Sequence, residues 1–232
     1  MTHASREEFR AEMLARIPRR YSPWLHLAIP SVGGIAIAIA ALTQLHDLRP
    51  WQLAFVPAFF LFGNAVEWHA HRGLLHRRVR LLELLYERHT PQHHRLYVAD
   101  DMSIRSPLEL RFVLLPAYAL FGILLLTSPV AIAFAVAGQT NLAALWVATG
   151  ATYLVSYEWL HLAYHLPAEG RVGRLALVRL LRRHHQLHHA PHLMQRWNFN
   201  VTLPFWDLVR GTVYHGAAAP THAAAPERRA AQ

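Results

Sequence analysis

Histidines recur through this chain at spacings that could place several imidazole rings around one point. The densest stretch lies near the C-terminus, where His185, His188 and His189 stand three and four residues apart. Residues at these separations are neighbours on one face of a helix, so their ring nitrogens can converge on one cation. The spacing therefore indicates a metal site.

Three further clusters have the same character: His71 with His76, His89 with His93 and His94, and His161 with His165. One such histidine alone is more often a packed or hydrogen-bonded core residue. Four clusters, each at the end of an apolar segment, favour a shared metal centre instead. Two metal ions at roughly five nitrogen donors each would use about ten neutral imidazoles, the number that the clusters supply.

The composition points to a membrane protein and restricts the chemistry of the metal. Hydrophobic residues make up 53% of the 232 residues and charged residues only 16%, a balance typical of membrane-embedded chains. The sequence contains no cysteine. Disulfides, thiolate zinc sites and iron-sulfur clusters are therefore excluded, and a metal would rest on nitrogen and oxygen ligands.

Four apolar runs predict an all-α integral membrane protein with four transmembrane helices. Leu25 to Leu45 has about the ~20 residues that a helix needs to cross a bilayer. The other predicted spans are Trp51 to Val66, Phe112 to Gly138 as one kinked span, and Asn141 to Ala163. The histidine clusters fall at the ends of these runs, so we expect a helical cap that carries a histidine-rich dimetal site.

The arginines predict the topology. The formal net charge is +9, but the arginines flank apolar runs, which indicates membrane orientation rather than a nucleic-acid partner. Arginine-rich segments precede Leu25, lie between the second and third runs, and follow the fourth. The positive-inside rule then places both termini and the metal site in the cytosol, and we expect a multi-pass protein of a bacterial inner membrane.

Three regions are predicted. Residues 1–24 form a cytosolic or interfacial amphipathic arm, residues 25–215 the membrane-embedded domain, and residues 216–232 an alanine-rich disordered tail. The apolar run of the second region is too long for a cleaved signal peptide, so we expect an uncleaved anchor. The oligomeric state is left open.

Carboxylates near the clusters are candidates to orient imidazole N–H groups, as outer-shell acids commonly do. Glu67 precedes His71 by one helical turn, and Glu158 stands three residues before His161 on a similar face. Asp100 and Asp101 follow the second cluster closely, and for these two an ordinary surface role is an equal alternative. We name no catalytic residue beyond the metal ligands.

Together these residues resemble the fatty acid hydroxylase/sterol desaturase superfamily of membrane di-iron oxygenases. The family's pattern of HxxxxH, HxxHH, HxxxH and HxxHH is similar to the series His71 to His76, His89 to His94, His161 to His165 and His185 to His189. Asn198-Phe199-Asn200 and Phe205-Trp206-Asp207 supply further similar context. The second box is one residue longer than usual, HxxxHH, which leaves the ligand role of His89 open.

The resemblance implies a centre of two iron ions, for which zinc can substitute in purified protein, with O2 as cosubstrate. All ten clustered histidines would be its ligands. The implied reaction inserts oxygen into a C–H bond of a membrane lipid such as a fatty acyl or sterol-like molecule. Because no cytochrome b5-like segment stands in the chain, we expect a separate electron donor: a cytochrome b5-like protein, a ferredoxin or a reductase.

Three other readings stay open at this point. A lipid desaturase could use the same di-iron centre. A histidine-lined metal-binding or transport protein is also possible, although the middles of the apolar runs carry no histidine clusters. A di-haem membrane cytochrome would require paired histidines on facing spans.

Overall fold

The computed structural model of the protein describes residues 2–216. Within this range every regular element is helical, which confirms the all-helical prediction. The proposed disordered tail lies outside the described residues except for Gly216. The elements, in chain order, are α1 (His3–Ala15), α2 (Pro23–Leu42), α3 (Pro50–Leu53), α4 (Phe55–Ala70), the π turn π1 (His71–Leu75), α5 (Glu83–Arg88), the π turn π2 (His89–His93), α6 (His94–Leu96), a 3₁₀ turn (Pro107–Glu109), α7 (Leu110–Val113), α8 (Ala119–Val136), α9 (Thr140–His165), α10 (Ala176–His188) and α11 (Phe205–Val209).

Two of the helices in residues 2–216, α2 and α8, are long and apolar enough to cross a membrane. Helix α8 turns large apolar side chains such as Leu125, Leu126 and Val136 to the outside, as a lipid-facing helix does. The other two predicted spans correspond to α4, which has 16 residues, and α9, which has 26. Two of the four predicted spans thus have the length and composition of membrane helices.

The third predicted span begins later than expected. Helix α7 ends at Val113 and α8 starts only at Ala119, with irregular backbone between them. Pro116 stands in this break, where it lacks the N–H that a continuous helix would use. Pro129, by contrast, lies inside α8 without ending it. The predicted run therefore folds as a short helix, a break and one apolar helix.

Helix α9 is the central element of the fold. It packs against α2, α4, α8 and α10. Helix α2 lies so close to α8 and α9 that a side-chain carbon at Gly34 would overlap Leu120 and Val155. The N-terminal half of α9 lies among the apolar helices, and its C-terminal turns carry His161 and His165. One rigid element thus connects the apolar half of the molecule to the histidines.

Helix α1 packs on the hydrophobic core with one face and exposes polar residues on the other. Met13 packs against Leu96, Tyr97 and Phe112. Arg10 is buried and pairs with the carboxylate of Glu109. The placement of this arm in the cytosol or at the membrane interface stays a prediction. In the structure its Met13 side packs on the core, and the buried Arg10 has the buried acidic partner that a buried arginine requires.

Candidate metal centre

All ten predicted histidine ligands are buried and fall into two groups of five. In each group, one ligand atom from every member lies within 4.8 Å of the others. The first group consists of His71, His76, His89, His94 and His188, and the second of His93, His161, His165, His185 and His189. His89, whose role the longer second box left open, lies in the first group.

The two groups adjoin one another. The rings of His94 and His189, one from each group, stack with centroids 4.2 Å apart. His89 and His93 form a second contact between the groups, with centroids 5.3 Å apart. The arrangement is therefore one paired site, consistent with a dimetal centre, rather than two separate ones.

The first group is built on the two π turns. His71 and His76 are five residues apart, as are His89 and His94. On an α-helix such a pair would point about 140° apart, at 3.6 residues per turn. A π turn forms hydrogen bonds between residues five apart and so brings them onto one face. The ring centroids accordingly lie 5.1 Å apart for His71 and His76 and 4.6 Å apart for His89 and His94.

Four of the five members of the second group stand on regular α-helices, and the fifth, His93, ends the π turn π2. His161 and His165 are four residues apart on α9, with centroids at 5.0 Å. His185 and His189 are four apart at the end of α10, with centroids at 4.6 Å. Ordinary helical periodicity therefore accounts for these two pairs, whereas the pairs of the first group require π turns.

Backbone carbonyls fix the orientation of five of the ten rings. Nδ1 of His93 lies 2.9 Å from the carbonyl oxygen of Phe112, and Nδ1 of His189 lies 2.7 Å from that of Tyr97. A carbonyl oxygen only accepts hydrogen bonds, so each Nδ1 must carry the proton and Nε2 must keep its lone pair. The same arrangement holds His165 on Met102, His188 on Trp197 and His71 on Phe199.

Lone pairs consequently face one another across each group. Nε2 of His93 and Nε2 of His189 are 3.1 Å apart, although neither carries a proton. In the first group, His76 Nδ1 donates to Thr90 Oγ1 at 3.1 Å, because that hydroxyl itself donates to Leu75 O. His76 Nε2 then faces the bare Nε2 of His188 at 3.0 Å. Two unprotonated nitrogens at this distance repel unless a cation lies between them, so these residues fit a bound metal.

Burial keeps the imidazoles in the form that binds metals. It lowers the pKa of His71 and of His93 to about 3. The pKa of His76 is lowered as well, first by burial and then by the nearby His188. Removal from water disfavours the charged ring. At neutral pH these rings are therefore neutral, as metal coordination requires.

The carboxylates proposed to orient the rings have other neighbours. Glu158 accepts from the backbone N–H of Leu115 at 3.3 Å. Asp101 forms ion pairs with Arg6 and Arg105, and Asp100 lies 4.0 Å from Arg6. The orienting role of all four acids, Glu67 included, stays a prediction.

Glu67 supports the site indirectly by holding a loop. Its buried carboxylate accepts hydrogen bonds from the hydroxyl groups of Tyr153 and Thr202 and from the backbone N–H groups of Val201 and Thr202. This loop also carries Phe199, whose carbonyl orients His71. The acid thus holds the loop whose Phe199 carbonyl is hydrogen-bonded to His71.

Asp207 also holds the loop that carries Phe199, a role that was not predicted from the sequence. Its carboxylate accepts from the N–H groups of Phe199 and Asn200 at 3.0 and 2.7 Å. It also lies 3.0 Å from Nε2 of His184, a histidine outside both groups. The Phe205-Trp206-Asp207 sequence was the available signal, but the sequence alone does not indicate which backbone groups it binds.

Fold and site together define a class: an all-helical protein with two candidate membrane helices and two adjoining five-histidine groups. The chain matches the fatty acid hydroxylase family over residues 56–212, a range that includes all ten histidines. It belongs to this family. No curated protein and no solved structure matches the chain. Family membership implies an oxidoreductase that acts on a lipid.

Proposed function

We propose that the protein is a membrane di-iron oxygenase that hydroxylates a C–H bond of a lipid with O2 and external electrons. The observation that carries the proposal is the pairing of unprotonated Nε2 atoms at 3.0 and 3.1 Å in the two groups. Imidazole nitrogen suits iron among other metals, and the family supplies the choice of iron. The ten histidines would each contribute one nitrogen, five to each ion.

When bound, the two iron ions would supply the reduction of O2 that makes an unactivated C–H bond reactive. The protein's own groups prepare the site. Carbonyl oxygens keep protons on the outward Nδ1 atoms, as between Phe112 and His93. The rings' burial excludes water from a reactive centre. Helix α9 connects this region to the apolar helices, from which an alkyl chain would arrive.

The overall reaction balances with an external donor. One oxygen atom enters the C–H bond, and the other leaves as water after two electrons and two protons are supplied. A separate cytochrome b5-like protein, ferredoxin or reductase would provide the electrons. A desaturase on the same centre is the second candidate, in which two hydrogens leave the lipid and both oxygen atoms become water after the donor supplies two further electrons with two protons.

The same proposal includes four membrane spans with the site on the cytosolic side. Helices α2 and α8 have the length and composition of spans, and α9 packs against both of them and against α4. The arginine-rich segments stand on the side of the histidines, and cytosolic loops are enriched in such residues.

Expression in a lipid-producing bacterial host tests the proposal. We expect two irons per chain and a lipid one oxygen atom heavier in the wild-type extract. His188→Ala should lose both the product and metal, because it removes a nitrogen from the first group. His192→Ala is the matched control, since His192 is exposed and lies outside both groups. A product two hydrogens lighter would identify the desaturase. Identical extracts from wild type and His188→Ala in several hosts would contradict both.

A further inference from the structure

Two small neighbouring cavities that share Leu115 and Pro116 in their walls form a narrow cleft between the apolar helices and the histidines. The outer part of the cleft is also lined by Pro30 of α2, Leu120 and Ile123 of α8, and Leu154 and Glu158 of α9. The inner part is the wider of the two.

The inner part of the cleft ends at both histidine groups. His89 of the first group and His93 and His161 of the second belong to its wall. A molecule in the cleft would therefore meet the edge shared by the two groups. A C–H bond of a molecule in this position would lie next to both histidine groups.

The backbone break between α7 and α8 forms one wall of the cleft. Residues 114–118 are not helical, and this stretch lies between an apolar helix and the site. Irregular backbone at membrane depth is tolerated where it is buried in protein or lines a cavity. The cleft thus gives a structural reason for the break.

Glu158 places an open hydrogen-bonding position in this otherwise apolar outer part. The side chain is buried, at 5% exposure. Oε1 accepts from Leu115 N–H, while Oε2 has no hydrogen-bond partner among residues 2–216. A buried polar atom without a hydrogen-bond partner is destabilising. The other side chains of the outer part are aliphatic or proline, so a ligand is the natural source of the missing partner.

We propose that the cleft binds the alkyl part of a lipid and that Oε2 of Glu158 hydrogen-bonds a hydroxyl group carried by that lipid. The inference rests on the proposed function and specifies its substrate class. Arg88 also lines the inner cleft, but its guanidinium already donates to the carbonyl of Arg111 at 2.8 Å.

The position of Glu158 also restricts the site of oxidation. Glu158 precedes His161 by three residues on α9, which is about 4.5 Å along a helix axis. Nε2 of His161 is likewise buried without a hydrogen-bond partner in the described part of the chain. A hydroxyl held by Glu158 would therefore place a carbon only a few bonds away beside the histidines. Oxidation should fall near the hydroxyl rather than at the far end of the chain.

Photolabelling measures binding to the cleft without requiring turnover. The metal-loaded full chain in detergent would receive either a long-chain alcohol with a diazirine on its alkyl chain or the matching alkane diazirine. One hydrogen bond contributes about 1–1.5 kcal/mol, or about a tenfold preference. We expect wild type to label about tenfold better with the alcohol, on peptides that contain Leu120, Ile123 or Leu154.

Two substitutions at Glu158 and one elsewhere complete the test. Glu158→Leu should label equally with both probes, whereas Glu158→Gln, which still hydrogen-bonds, should keep most of the preference. The exposed Glu169→Leu is the matched control, and metal content reports whether each variant folds. No preference in wild type, or a preference kept by a metal-loaded Glu158→Leu, would overturn the inference.

The labelling experiment and the lipid analysis test the Glu158 inference and the proposed function separately. If wild type oxidises a lipid but the labelling shows no dependence on Glu158, the inference fails and the oxygenase stands. If the alcohol labels the cleft as expected but no host yields an oxidised lipid, the lipid site stands and the proposed reaction fails.

Discussion

At the scale of single residues, six of the ten imidazoles use both ring nitrogens. Their Nε2 faces the centre of a group, while Nδ1 is hydrogen-bonded on the outer side, in five of them to a backbone carbonyl as in His188 with Trp197. For His76 the acceptor is instead the hydroxyl of Thr90. Because the acceptor for His76 Nδ1 is a side-chain hydroxyl and not a backbone carbonyl, a conservative substitution of Thr90 can remove this hydrogen bond without moving the backbone.

Replacing Thr90 by valine should weaken the first group selectively. Valine keeps the shape of threonine but cannot accept the His76 N–H, so the ring loses its fixed orientation. Loss of an outer-shell partner of this kind typically lowers metal affinity about 10–100-fold. Metal content after timed dialysis against a chelator measures the effect, with Thr90→Ser as the control that keeps the hydroxyl. Equal retention in all three proteins would contradict it.

The convergence of the ten histidines was predictable from the sequence because their spacing is informative. The outward partners were not. A carbonyl is present at every residue, so nothing in the identities of Phe112 or Tyr97 indicates that their oxygen atoms receive His93 and His189. Glu67 was recognised as important, but its bonds to Val201 and Thr202 join residues more than 130 positions apart, which no local pattern reveals.

At the scale of elements, the second and fourth boxes follow one rule in different geometries. In each box the first and last histidines share a group, and the middle one crosses to the other group. The fourth box does this on an α-helix with His185 and His189 four apart. The second box does it on a π turn with His89 and His94 five apart. The extra residue of HxxxHH is absorbed by the turn, so the pattern of ligands is unchanged.

Deleting Gln92 should therefore be tolerated. The deletion shortens the second box to HxxHH, and an ordinary α turn would then place its first and last histidines on one face. We expect the variant to keep two metals per chain. Deletion of Gln186 is the matched comparison, because it rotates His185 by about 100° relative to His188 and His189 on a regular helix. Metal analysis decides the matter: equal loss in both deletions would show that the π turn is not interchangeable with an α turn.

At the scale of the whole molecule, the apolar runs predicted where helices form but not how they associate. Helix α1 docks through the ion pair between Arg10 and Glu109, which are 99 residues apart in the chain. The hydrophobic periodicity of the sequence gives no information about such a distant pair. The break at Pro116 follows from proline chemistry, yet its use as a cleft wall depends on α9 lying opposite. The molecule has apolar helices at one end of α9 and the histidines at the other, so under the proposed function the membrane orientation would determine which compartment supplies electrons.

The absence of native cysteine makes that orientation directly measurable. Single cysteines at Gln44 and Thr140, in the two connections with few arginines, should react with a membrane-impermeant maleimide on spheroplasts of an expressing bacterium. Cysteines at Arg20 and Glu169 should react only after the membrane is opened, because positively charged segments stay in the cytosol. All four sites are exposed in the structure, so differences in labelling report the side of the membrane rather than burial. Labelling of Glu169→Cys on sealed spheroplasts would place the histidine groups on the outer side and contradict a cytosolic electron donor.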